Sequence, residues 1–294
     1  MTQSGWVAGR IRAQRPGTQV ELVIIKTQGD ILQDVSLTNV GGKGLFVKEI
    51  EEALLKGDVD MAVHSMKDLP SELPSGLSIA ATPKREDPRD CLVSRDGRSL
   101  AELPDGALIG TGSLRRSVQL KNRFPKLIIV PLRGNLDTRL GKVATNDLDG
   151  VILAAAGIRR MGWDGRISEY ISSETMLPAV GQGILGIETK QAATYVRKAI
   201  AFLDDPETAC EAAAERSFLA TLGGGCQLPI AGFARKKGER LTIQGLIGSM
   251  DGKILLKERI EGAYQDATTL GRKLAETLMD KGGKALLAAL DKVY

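Results

Sequence analysis

Histidine is all but absent from this 294-residue chain. His64 is the only one, so a multi-histidine metal centre is excluded and a histidine-based triad would have to be built on that residue. Cysteine is scarce too: Cys91, Cys210 and Cys226 are an odd number at wide spacing, which gives neither a disulfide framework nor a Cys-x-x-Cys metal site. Aromatic residues make up only 4%. The longest apolar stretches, around Leu127 to Leu132 and Gly150 to Ile158, fall far short of the ~20 residues a membrane-spanning helix requires. Met1 to Arg10 holds no basic segment followed by a long apolar run, so export is not expected and a cytoplasmic location is the default.

What is present fits a globular chain. Apolar residues at 43% and charged residues at 26% set disordered and fibrous classes aside. The length suggests two or three domains. Net charge is +4, but Thr111 to Lys142 holds eight basic residues against Asp137 alone, a local net charge of +7, so the remainder sums to −3. A local cationic field points to an anionic partner. With only Phe124 interleaved among these cations, stacking on nucleic-acid bases has little to work with, and a small polyanion is favoured.

Hydrophobic periodicity predicts strands at Val20–Lys26, Asp60–His64, Leu77–Thr82, Ala107–Gly110, Lys126–Pro131 and Asp149–Ala154. Helical patterns run from Phe46 to Lys56 and follow Ser113, Asn135 and Ala156. This alternation predicts α/β architecture with parallel sheets over the first 200 residues. After Pro206 a helix to about Leu222 precedes strands at Gln227–Ala234, Leu241–Ile247 and Ile254–Ile260 and closing helices, an α+β unit. Lys84 to Asp90, three positive and three negative charges around Pro88, suits a crossover between domains or a solvated surface loop. The glycine-bearing interval Thr27 to Gly44 reads as a lid.

Three constellations can carry chemistry. His64-Ser65-Met66-Lys67-Asp68 lies at the carboxyl end of a strand, where open α/β sheets place ligands. Asp68 there can stabilise a developing positive charge and Lys67 can take an acidic substituent. His64 itself is more often a satisfied core histidine. Gly110-Thr111-Gly112-Ser113-Leu114-Arg115-Arg116 runs from strand into helix and offers N–H groups, two hydroxyls and paired guanidiniums to an anion. Arg133-Gly134-Asn135 with Arg139, and then Arg159-Arg160, repeat this after the next two strands, so three strand ends bring arginine to one sheet edge, an array suited to several carboxylates. Finally, Gly223-Gly224-Gly225-Cys226 gives a thin backbone that can present one thiol to a bulky group, against the commoner fate of an inert buried cysteine.

These segments, together with Asn39-Val40-Gly41-Gly42-Lys43-Gly44-Leu45-Phe46, Arg85-Glu86-Asp87-Pro88-Arg89-Asp90 and Leu177-Pro178-Ala179-Val180-Gly181-Gln182-Gly183, closely resemble the porphobilinogen deaminase (hydroxymethylbilane synthase) family, in order and along nearly the whole chain. The resemblance implies two periplasmic-binding-protein-like α/β domains, residues 1–84 with 184–204 and residues 88–178, and a smaller α+β domain at 206–294. It implies a transferase of tetrapyrrole (haem) biosynthesis that joins four porphobilinogens head to tail with loss of ammonia. Each pyrrole carries an acetate and a propionate.

The cofactor implied is a dipyrromethane linked by a thioether to Cys226, with Lys67, Thr111, Ser113, Arg115, Arg116, Arg133 and Gly134 around it. Asp68 is implied as the catalytic residue, Arg139, Arg160, Ser65 and Gln182 as substrate-binding, and Lys43 and Phe46 as part of the lid. No metal, nucleic acid or membrane is implied, and a monomer is expected. Relative to the family pattern, the chain begins at or inside the first helix, without the preceding strand and its Gly-x-Arg-x-Ser-like motif. Gly112 stands where a serine is usual, and Gly223 where an acidic residue is usual. The alternative reading is a non-enzymatic anion-binding protein of periplasmic-binding-protein type. A nucleic-acid binder, which would require steep salt dependence, is weaker.

Overall fold

The computed structural model describes residues 2–27, 47–145, 147–224 and 228–290. In chain order its main elements are α1 (Thr2–Gln14), α2 (Lys48–Lys56), β1 (Ala62–Ser65), β2 (Leu77–Ala81), β3 (Asp90–Ser94), β4 (Leu108–Thr111), α3 (Leu114–Arg123), β5 (Ile128–Pro131), α4 (Leu136–Ala144), β6 (Gly150–Ala154), α5 (Ala155–Arg160), β7 (Glu169–Ile171), β8 (Leu185–Lys190), α6 (Thr194–Ile200), α7 (Pro206–Thr221), β9 (Ile230–Lys237), β10 (Arg240–Gly248), β11 (Leu255–Ala263), α8 (Ala267–Leu278) and α9 (Lys284–Leu290).

Among the described residues these strands form three sheets. The first, ordered β1-β8-β2, is antiparallel and uses a strand from far along the chain as its centre. Val7 and Ile11 of α1 pack on it with Ala81, Ile187 and Ile200. The second has five strands, β5-β4-β6-β3-β7. Here β4 runs parallel to β5 and β6, while β3 runs antiparallel to β6 and β7. The third, β11-β10-β9, is an antiparallel meander packed on α7 and α8 around Phe218, Leu274 and Leu278.

Two expectations change. Neither sheet of the first 200 residues is parallel: the first is antiparallel because β8 returns between β1 and β2, and the second is mixed because the chain enters it from a crossover on the opposite heading and β3 is laid antiparallel beside β6. Residues 20–26, expected as a strand, are extended but join no ladder, and Val23 and Ile24 are 55% and 71% exposed. Alternating apolar residues make a strand only where a neighbour takes up the main-chain N–H and C=O groups, and among the described residues none does. The expected lid interval, with Lys43 and Phe46, lies outside the described residues apart from Thr27, and so does Cys226.

The crossover reading of Lys84 to Asp90 fits. It runs beside a second crossing at residues 178–184: the N–H of Glu86 donates to the Gly183 carbonyl at 3.1 Å and Gln182 Nε2 to the Pro88 carbonyl at 2.7 Å. Gly183 has φ of 86°, and a Cβ there would lie 2.5 Å from the Glu86 carbonyl oxygen, so only glycine lets the two crossings run this close.

Arginines at the strand ends and the carboxylate beside them

The parallel register of β4, β5 and β6 brings the segments after their carboxyl ends to one edge of the second sheet. Thr111 closes β4 and is buried, its hydroxyl accepting the Ser113 N–H at 3.2 Å. Ser113 is the N-cap of α3, and its side chain makes no capping bond. Gly112 between them lies against the next strand, where a Cβ would approach the Leu132 carbonyl oxygen to 2.4 Å. The serine usual at this position would force that contact apart.

Arg115 and Arg116 occupy the buried face of α3 and converge on Asp90, the first residue of β3. Arg115 donates to Asp90 at 2.7 and 3.2 Å and to the Leu177 carbonyl at 2.7 Å. Arg116 donates to Asp90 Oδ1 at 3.0 and 2.8 Å and to the Ile152 carbonyl at 3.1 Å. Gln182 Nε2 adds a bond to Asp90 Oδ1 at 2.9 Å. Burial alone would raise the Asp90 pKa, but the two guanidiniums and the Gln182 bond override it and hold the carboxyl far below its usual range. With two guanidiniums on one carboxylate, the group keeps a net positive charge, and Arg115 Nε is buried without a partner among the described residues.

After β5, Arg133 is exposed and Gly134 adopts φ of 101°. The Gly134 carbonyl accepts Arg139 Nε at 2.8 Å, while Asn135 caps α4 by accepting the Thr138 N–H at 2.8 Å. Arg160, at the end of α5, donates to the Gly183 carbonyl at 3.0 Å. Burial lowers the pKa of Arg139 and of Arg160; Arg116 adds to the effect on Arg139, whereas Asp68 opposes it.

The first sheet supplies Lys67 and Asp68. β1 turns through a short 3-10 segment, Met66–Asp68, that leaves Asp68 exposed and Lys67 part-buried. Burial pulls the Lys67 ammonium below its usual pKa; Asp68 opposes this, while Arg116 and Arg115 reinforce it. Lys67 is thus within reach of the charges of both Asp68 and the Asp90–arginine group. Ser65 Oγ accepts a bond from Gln3 Nε2 of α1 at 2.9 Å. His64 is a satisfied core histidine, 3.0 Å from Glu188 Oε2 of β8 and buried with it.

Sequence reasoning missed the buried carboxylates that organise this region. In the sequence Asp90 is one of six charges in a segment that suits a crossover or a solvated loop, yet it is wholly buried. Arg85 is equally hidden: its guanidinium meets Glu215 at 2.7 Å and Glu211 at 3.2 Å, both on α7, and its Nε donates to the Gln182 carbonyl at 3.0 Å. Glu215 also accepts the N–H groups of Gly181 and Ala234, at 2.6 and 2.8 Å. The available signal was a pair of glutamates four apart in an alanine-rich helix, which places both on one face.

The site's donors are cations and hydroxyls, with Asp68 the exposed acid among them. The class so defined is an α/β protein of two sheets with a third, α+β unit, whose strand-end cations gather near one exposed carboxylate. Residues 1–198 match the family model "Porphobilinogen deaminase, dipyromethane cofactor binding domain", and residues 209–280 match "Porphobilinogen deaminase, C-terminal domain". The porphobilinogen deaminase of Syntrophus aciditrophicus is 56% identical over 291 residues, covering 99% of this chain and 95% of the relative. That of Syntrophotalea carbinolica is 51% identical over 289 residues, covering 98% and 92%. Among solved structures, an ancestral cationic amino acid solute binding protein is 16% identical with a TM-score of 0.42, covering 68% of this chain and 76% of its own.

The chain belongs to the porphobilinogen deaminase family. It is an enzyme of tetrapyrrole synthesis that polymerises porphobilinogen, and its first 198 residues are the family's dipyrromethane-binding part. The binding-protein alternative is not favoured.

Proposed function

We propose that Asp68 is the catalytic carboxylate and that the surrounding cations hold the acetate and propionate groups of a dipyrromethane attached to Cys226. The observation that supports this is that Lys67 is close enough to Asp68 and to the Asp90–Arg115–Arg116 group, and Arg139 close enough to Asp68, for their charges to interact. The donor set fits the cofactor: two pyrroles bear four carboxylates, and Lys67, Arg115, Arg116 and Arg133 with the Ser113 hydroxyl and the Gly134 backbone offer cationic and N–H or O–H partners. When bound, the dipyrromethane supplies the primer to which substrate units are joined.

Arg139 and Arg160 hold the incoming porphobilinogen. The C–N bond to its aminomethyl nitrogen breaks, ammonia leaves, and the remaining methylene carbon is electron-poor. A fixed negative charge at Asp68 stabilises that carbon's positive charge and the pyrrole N–H beside it. The new C–C bond forms there, and the ring carbon that attacks loses its proton. Ser65 and Gln182 act by holding backbone and charge in place: Ser65 ties β1 to α1, and Gln182 orients Asp90. Lys43 and Phe46 belong to a lid that excludes water.

We divide the chain at residues 84, 88, 178, 184 and 204, giving the domains 1–84 with 184–204, 88–178 and 206–294, the last carrying Cys226. We infer a cytoplasmic monomer that takes a small-molecule substrate and neither nucleic acid nor membrane. Asp68→Ala tests the catalytic assignment. Turnover is expected to fall by at least a hundredfold while the mass of bound dipyrromethane is retained; wild-type turnover in that variant would refute the role.

A further inference from the structure

Behind the crossover strands lies a cleft that no step of the polymerisation uses. A cavity of about 690 Å³ opens between one face of the third sheet, the crossover residues Arg85 to Arg89 and the loop at Ser173 and Glu174. A second hollow of about 330 Å³ shares Ser173, Glu174, Gln244 and Arg259 with it.

Strand alternation fills this wall with cations. Arg235 and Lys237 of β9 and Lys257 and Arg259 of β11 point to the same face as Thr242 and Gln244 of β10, since the register opposes Arg235 to Thr242 and Gln244 to Arg259. Arg235, Lys237 and Lys257 have no ion pair among the described residues, and Arg259 has only a 3.9 Å approach to Glu261, which is bonded to Arg240 at 2.9 Å.

The acids lining the cleft are mostly committed. Glu86 and Asp87 engage Arg159 and Arg89, and Glu258 engages Lys281, which leaves Glu174. Burial lowers the Lys257 pKa with no acid opposing it. Gln244 is half-buried, and its amide makes no hydrogen bond among the described residues.

β9 and β11 lie two strand spacings apart, about 10 Å, so the cations of the two edges suit an anion whose charges are spread rather than a single small ion. The main cavity also has the volume of a drug-sized ligand site, and Phe233 and Leu177 add apolar wall. We propose that this cleft is a second anion site that takes an oligopyrrole polycarboxylate, the chemical class of the enzyme's own product.

The test is titration of the holoenzyme with the octacarboxylate porphyrin uroporphyrin at low ionic strength, followed by its absorbance and fluorescence. Wild type is expected to bind, and R235A/K257A to bind at least tenfold more weakly with unchanged turnover of porphobilinogen. R235K/K257R and Arg133→Ala are expected to stay within about twofold of wild type. The proposal is overturned if wild type does not bind, if R235A/K257A binds as wild type does, if the charge-keeping variant falls as far as the alanine one, or if Arg133→Ala abolishes binding, which would place the ligand in the catalytic cleft.

Discussion

Replacing Asp90 by asparagine keeps the shape of the side chain and removes the one charge that Arg115 and Arg116 share. In the wild-type protein that carboxylate accepts four guanidinium N–H contacts and one from Gln182 while wholly buried. Removing one partner of a buried ion pair costs about 3–5 kcal/mol, because the remaining charge is stranded away from water. Here two guanidiniums are stranded, and the new amide turns an N–H toward donors, so Asp90→Asn is expected near the upper end. At about 2–4 °C per kcal/mol for a cooperative unit of this order of size, melting should fall by roughly 10–20 °C.

The pH dependence supplies a second signature. Asp90 has a depressed folded pKa, so its contribution is present above the unfolded value of about 3.9 and is lost as pH falls through the folded one. The difference in stability between wild type and Asp90→Asn should therefore be full at pH 7 and narrow only below about pH 4. Calorimetry at several pH values reads both effects. A variant that melts within about 2 °C of wild type at pH 7, or a gap that does not narrow in acid, would show that Asp90 is not the charge that holds the two guanidiniums.

Arg85→Met should leave Glu211 and Glu215 buried without their cation and lower stability by about 3–5 kcal/mol, measured by urea unfolding; a loss under 1 kcal/mol would contradict the network. Gly112→Ser brings a Cβ into the space of the Leu132 carbonyl and is expected to destabilise by about 1–3 kcal/mol, read as a lower melting temperature. Lys67 loses its proton below lysine's ordinary value of 10.5, so turnover should fall on the alkaline side below that pH as the cofactor's carboxylates lose a cation. Lys67→Arg should move that fall to higher pH, and an unchanged kcat profile would count against Lys67 as a carboxylate partner.

Strand ends punctuated by glycine and proline were legible in the sequence. β4, β5 and β6 fall within two residues of their expected bounds, and the arginines after them reach one edge because those three strands are parallel. Strand direction was less accessible, and no strand is expected from the sequence over β3 or β8, which only their partners make into strands. Residues 20–26 show the converse, a strand pattern without a partner. For the site, exposed or strand-end cations announce themselves by charge. Asp90 and Glu215 do not, because a buried carboxylate differs from a surface one only in what faces it, and those partners lie 25 to 130 residues away.

We propose that the chain builds porphobilinogen onto a primer held by Cys226 under the charge of Asp68. Intact mass of the purified protein, compared with the mass computed from its sequence and with a Cys226→Ser variant, tests this most directly. An excess equal to two linked pyrroles is expected in the wild type, absent from Cys226→Ser and retained in Asp68→Ala. A wild-type mass with no excess after incubation with porphobilinogen, or an excess that survives in Cys226→Ser, would contradict it.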